Sequence, residues 1–198
     1  WTPPISLAAQ IPNATSGWGT ILCDTYVNGS LVSTNTCAFQ LTVPASVVPS
    51  ISSVSIAEAT AGIADRFGGY VRTRSKLSVS ITATGVQGSS ISAYRTSIDS
   101  VTYSGASFTT NTLNTAGNLT LTVTVTDSRG RTVSTTRTVT VLDYSPPSLS
   151  QFTAERCNAD GTAAQTDGTK VRISAKASGS SVGGKNTLDR KSTRLNSS

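Results

Sequence analysis

Asn118–Leu142 reads NLTLTVTVTDSRGRTVSTTRTVTVL. Leu119, Leu121, Val123 and Val125 alternate with Thr120, Thr122, Thr124 and Thr126. That period of two puts one face of a strand against a core and leaves the other in water. Asp127-Ser128-Arg129-Gly130 then supplies a type I turn, with Asp at its first position and Gly where the backbone turns left-handed. Val133, Val139 and Val141 bring the chain back on the same face. With Gly130 at a bulge position, Asp127 faces Arg131 and Val125 faces Val133. The outer face then pairs Thr124 with Ser134, Thr122 with Thr136 and Thr120 with Thr138. One residue dissents: Arg137 lands opposite Leu121 on the apolar side, so it either snorkels out or a second bulge turns it. The hairpin fixes an all-β class, and no residue in it performs chemistry.

Composition agrees. Of 198 residues, 31 are Ser and 32 are Thr, while only 13% are charged. Thr keeps β-propensity on a solvated face without charge, and the Val/Leu/Ile alternation separates this chain from a disordered polar tract. No run of about 18 apolar residues exists, so no membrane-spanning helix is expected. No signal peptide is visible. The chain opens at Trp1 and holds no Met, which leads us to expect a piece of a longer protein.

An internal repeat organises the rest. Shifted by 98 positions, Leu41-Thr42-Val43 falls on Val139-Thr140-Val141, and Pro49-Ser50-Ile51-Ser52 on Pro147-Ser148-Leu149-Ser150. After a loop four residues shorter, Lys76-Leu77-Ser78-Val79-Ser80 falls on Lys170-Val171-Arg172-Ile173-Ser174. A period near 100 residues is the size of one sandwich. The expected architecture is tandem immunoglobulin-like β-sandwiches, one complete and two partial. Residues 1–46 hold closing strands, Gly19 to Val27 and Leu31 to Val43. Residues 47–145 form the complete sandwich, with strands near 51–58, 69–73, 76–84, 91–98, 101–104, 107–112, 118–126 and 132–142. Residues 146–188 hold opening strands near 149–157 and 169–177. The complete domain has neither Cys nor Trp, so its core is expected from Val, Ile and Leu with Phe67, Tyr70, Tyr94, Tyr103 and Phe108. Residues 189–198, DRKSTRLNSS, resemble the translation of a sequencing adapter rather than native chain. Setting aside their three cations and one anion lowers the formal charge from +6 to +4.

The chemistry expected is spare. There is no His, which excludes Ser-His-Asp, Cys-His and His-metal sites within this stretch. The acids form no close cluster; Asp127 and Asp143 suit a turn and a strand end. Asn158-Ala159-Asp160-Gly161-Thr162 begins like a calcium loop but lacks the closing Glu, so turn chemistry explains it. We therefore expect no catalytic residue, no metal and no cofactor. Arg66, Arg72, Arg74 and Lys76 lack a stacking motif, and Arg72 and Arg74 alternate as a solvated strand face would; no nucleic-acid partner is expected. If Asn28-Gly29 is a two-residue turn, Val27 faces Ser30, Cys23 falls opposite Thr34 and Cys37 sits on the other face. Out of disulfide reach, these cysteines read as small buried hydrophobes. Sugar binding would use exposed aromatics in loops, with Arg66 and Phe67 in one candidate loop and Tyr103 in another.

Several segments together resemble a siphovirus minor structural protein family of unknown function, found in tailed phages of Gram-positive bacteria. They are WTPPISLAAQIPNATSG, CDTYVNGS, LTVPASVVPSISSVSIAEATAG, the VTVTDSRGRTVS hairpin, and RCNADGT followed by GGKNT. The resemblance covers nearly all of residues 1–188. It implies a tail-associated virion protein with tandem Ig-like repeats, whose partners are other tail proteins and host-surface polysaccharide. It carries no catalytic residues across. The alternative is a bacterial surface adhesin, or a non-catalytic spacer or carbohydrate-binding module of a secreted protein.

Overall fold

The computed structural model describes residues 2–164 and 166–186; the expected adapter stretch lies outside them. The chain is all-β, and the described residues group into two compact units. The first holds the residues up to Ala59, Leu77–Asn111 and Leu119–Val139; the second holds the remaining described residues.

In the first unit a 3-10 turn, Ile5–Gln10, leads into a long hairpin of β1 (Ser16–Val27) and β2 (Ser30–Thr42). Asn28 and Gly29 both take positive φ, 51° and 80°, the geometry a two-residue hairpin turn requires. Val27 pairs with Ser30 as the sequence implies. The cysteine reading fails one step later. A bulge between Thr25 and Tyr26 leaves Val32 out of the ladder, so Cys23 meets Asn35 rather than Thr34, and Cys37 meets Ile21. A register slip of one residue exchanges faces. Cys23 and Cys37 are therefore diagonal neighbours on one face, free and exposed rather than buried.

Two sheets follow. β3 (Ser50–Glu58), β5 (Leu77–Thr84) and β8 (Ser107–Thr109) form one, in the order β3-β5-β8. β9 (Gly117–Asp127) and β10 (Thr132–Leu142) continue into β6 (Ile91–Ile98) and β7 (Val101–Ser104), in the order β10-β9-β6-β7. The buried faces are aliphatic. Leu77, Val79 and Ile81 of β5 and Leu121, Val123 and Val125 of β9 are at most 4% exposed. The aromatics expected in the core (Phe67, Tyr70, Tyr94, Tyr103 and Phe108) are each only half-buried. Narrow β-branched and leucine side chains fill the interior, and the wider rings sit at its margin.

The deciding hairpin forms as read. The Gly130 amide donates to the Asp127 carbonyl at 2.9 Å, and Gly130 has φ 78°. The Asp127 amide bonds the Arg131 carbonyl at 2.9 Å, and Thr124 Oγ1 lies 2.8 Å from Ser134 Oγ. Thr140 Oγ1 donates to Asn118 Oδ1 at 2.8 Å near the open end. The same offset runs from tip to base, so no second bulge intervenes, and Arg137 does fall opposite Leu121. Its guanidinium escapes to the surface and bonds the Thr136 carbonyl at 2.9 Å.

In the second unit β4 is only Tyr70–Val71, parallel to the Val141–Leu142 end of β10. The strand expected over 69–73 stops early because Arg74 and Ser75 amides both turn back onto the Val71 carbonyl, with Thr73 at φ 61°. Before it, a five-residue helix α1, Ile63–Phe67, replaces an expected loop. Gly68 ends it at φ 70°, its amide bonding Ala64 at 2.7 Å, a left-handed helix cap. β11 (Ser148–Cys157) and β12 (Lys170–Ser178) form a two-stranded sheet, with Leu149, Phe152, Val171 and Ile173 all 62–64% exposed.

Candidate functional site: the tip of the β9–β10 hairpin

The densest polar construction in the first unit is the hairpin tip. Asp127 is 1% exposed, and its Oδ1 accepts the amides of Arg129 at 3.0 Å and Arg131 at 2.9 Å. The carboxylate thus holds the turn from inside and aims both arginines the same way. Ser128 Oγ donates to the Pro12 carbonyl at 2.6 Å, and its amide to Ser90 at 2.8 Å.

Arg129, 7% exposed, spreads its guanidinium over four carbonyls. Nε reaches Ile11 at 3.2 Å, Nη1 reaches Val86 at 2.8 Å, and Nη2 reaches Ala8 at 2.8 Å and also Gln87. Arg131 takes three more: Nη2 reaches Val43 at 2.5 Å, and Nη1 reaches Val47 at 3.1 Å and Pro44. Beneath the fork, Ala8, Val43 and Val47 are buried with Ile11 and Val86 packed against them. A buried guanidinium without a carboxylate partner is costly unless its donors are engaged, and here carbonyl dipoles take four of the five on Arg129.

Beside this lies a groove of about 500 Å³, lined by Pro4, Ile5, Ile11, Phe39 and Leu41. The Phe39 ring lies over Gly19, where a β-carbon would come within 2.7 Å of Cζ. Trp18, at the groove edge, is 75% exposed.

The residues proposed for sugar contact fall in different units. Arg66 and Phe67 are in the last turn of α1, Arg66 exposed and Phe67 half-buried. Tyr103 in β7 stacks on Phe108 with ring centroids 4.9 Å apart, and its hydroxyl accepts the Asn111 amide at 2.9 Å. One ring face and the phenol oxygen are already engaged.

Arg72 and Arg74 are not on a solvated strand face. Arg72 Nε lies 2.8 Å from Asp143 Oδ1, an ion pair off the hydrogen-bond line, and Nη2 donates to the Tyr144 carbonyl at 2.9 Å. Arg74 sits 5.0 Å from the Tyr144 ring centroid, a cation–π contact. Asp160 closes its own turn: Oδ1 accepts the Thr162 amide at 2.9 Å and hydroxyl at 2.7 Å. Those bonds hold its carboxyl below the ordinary value. Among the described residues no three His, Cys, Asp or Glu side chains gather as a metal site would need.

These features define an all-β chain whose first unit carries a hairpin tip bonded to main-chain carbonyls. The family described as "Siphovirus protein of unknown function (DUF859)" matches residues 1–188, and the chain belongs to it. Neither a curated protein nor a solved structure matches the chain.

Proposed function

We propose that the chain is a structural component of a phage virion, in the tail or tail tip, whose immunoglobulin-like β-sandwich beads space and present a host-contacting part. The observation that carries this is repetition within a siphovirus family member. β11–β12 repeats the β3–β5 pair in register and sequence, its bulge between Leu149 and Gln151 matching the one between Ile51 and Ser53, and Leu41-Thr42 at the end of β2 repeats Val139-Thr140 of β10. Beads of this kind set reach and orientation while loops at their ends vary freely. On this reading residues 1–46, 47–145 and 146–188 belong to three successive beads. The chain acts as scaffold, not enzyme, and its partners are neighbouring tail proteins and host-surface polysaccharide.

Antibody against residues 47–145, applied to purified virions of the encoding phage and viewed by immunogold electron microscopy, tests the assignment. Label along or at the end of the tail is expected. Virions free of label, with the chain instead in the host cell-wall fraction, would refute it and favour a surface adhesin.

A further inference from the structure

We propose that the Asp127–Arg131 tip is a joint that reads main chain alone, locking its bead to the closing-strand end of the preceding one in a single orientation. The proposal rests on the bead division given above. Eight carbonyls receive Ser128, Arg129 and Arg131, and every one of them is a backbone group. Five belong to the preceding bead (Ala8, Ile11, Pro12, Val43 and Pro44) and three, Val47, Val86 and Gln87, to the tip's own bead. Arg129 therefore stitches the two sides together, while Arg131 grips the stretch where one bead leads into the next.

Main-chain acceptors have fixed positions, so the bonds form together at one relative placement or not at all. Sliding or tilting the joint would leave a buried cation unpaired, which supplies the restoring force. Arginine suits the task because its planar fork carries five donors in fixed directions, whereas lysine offers a point charge. Side-chain identity on the accepting side matters little: what lies under the fork is the small apolar seat of Ala8, Val43 and Val47. The repeat shows the same acceptors reused. The stretch 43–47 corresponds to 141–145, where the Leu142 carbonyl accepts the Arg72 amide and the Ser145 carbonyl accepts Ser180 Oγ. Different donors there meet the same class of main-chain acceptor. The first hairpin, turning at Asn28-Gly29, has no arginine at its tip.

The test is electron-spin distance measurement on the full chain. With Cys37→Ser, one label on Cys23 and one on Thr102→Cys report across the joint. Labels on Ser53→Cys and Thr102→Cys, with Cys23 and Cys37 changed to Ser, report within residues 47–145. The parent chain should give a narrow distribution for both pairs, unchanged in 1 M salt because the bonds that hold the joint among the described residues run to main-chain carbonyls rather than to carboxylates. Arg129→Ala with Arg131→Ala should broaden the cross-joint distribution at least twofold and leave the internal one narrow. Arg129→Lys with Arg131→Lys should broaden it as well, while Pro44→Ala, which keeps the carbonyl, should not. A broad cross-joint distribution in the parent, or a narrow one in the double alanine or double lysine variant, overturns the lock. Broadening by Pro44→Ala overturns main-chain reading. If the internal pair broadens together with the cross-joint pair, the two segments fold as one body, and the bead division itself falls.

Discussion

Leu121→Ala is the sharpest test of the hairpin reading. Leu121 is 0% exposed on β9, between Leu119 and Val123 on the inward face. Truncation removes three carbons, about 2.4 kcal/mol of transfer free energy at ~0.8 per carbon. The cavity left behind adds to that, because the strands on either side are held by ladders and collapse only in part. A total of about 3–4 kcal/mol follows, inside the ~2.7–5 seen for buried Leu→Ala changes. At ~4 °C or more per kcal/mol for a domain of this size, melting falls by at least ~12 °C. Thr120→Ala is the internal control: one residue away, exposed, on the opposite face, it should cost within about 0.5 kcal/mol. Urea titration followed by circular dichroism gives both values, with the denaturant slope unchanged. A cost below about 1 kcal/mol for Leu121, or equal costs at the two positions, would refute the inward–outward assignment on which the fold rests.

Thr96 is 0% exposed, and its hydroxyl has no hydrogen-bond partner among the described residues. Thr96→Val should therefore raise stability, by about 1 kcal/mol in the same titration; a loss of that size would show the hydroxyl engaged. Gly85→Ala should destabilise severely, because a β-carbon there meets the Ser89 carbonyl oxygen at 1.8 Å and backbone cannot give way; a near-native melting temperature would contradict the loop geometry. Thiol titration of the native chain should find Cys23 and Cys37 reacting at once and Cys157, 4% exposed, only on unfolding; slow reaction of the first pair would place them under cover. Asp160 should titrate below the ordinary carboxyl value of 3.8, first because the Thr162 amide and then its hydroxyl donate to the charged form. A lowered folded pKa makes the turn's contribution present above the unfolded value and lost as pH falls through the folded one. Carboxyl-carbon NMR reads the midpoint, and one at or above the ordinary value would mean the turn is open.

The alternation of Leu and Val with Thr made β9 legible to within one residue at each end and β10 at both its ends, because a period of two leaves no freedom once one face is buried. The Asp-Ser-Arg-Gly turn was equally explicit, since only Gly accepts φ 78° at no steric cost. Where the reading slipped, local signals were competing. Val32 looks like any other strand residue, yet the ladder leaves it out, and that one-residue slip moved Cys23 and Cys37 onto one face. Residues 63–67 are too few for a helical period to show, and the left-handed caps at Gly62 and Gly68 were the only mark of α1. The aromatics were assigned to the core by hydrophobicity, but a core already filled by Leu and Val leaves rings at the rim.

The joint illustrates a different kind of blindness. A salt bridge leaves two marks in a sequence, one of each sign, and a metal site leaves several ligands. Arg129 and Arg131 leave only their own, since what they bind is backbone that every residue possesses. The sequence marks them only as parts of a turn; Arg72 and Arg74, read as a solvated strand face, instead found side-chain partners in Asp143 and Tyr144. The one prior clue was Asp127, a carboxylate two and four residues before the arginines, whose Oδ1 accepts both their amides. An acid that orders a turn also fixes where the turn's side chains point, so a D-x-R-G-R tip between long alternating strands is a physical reason to look for an acceptor surface. By that argument the tip is inseparable from its hairpin. Asp127→Asn, which keeps an acceptor oxygen, should preserve the joint, and Asp127→Ala should loosen it even with both arginines present.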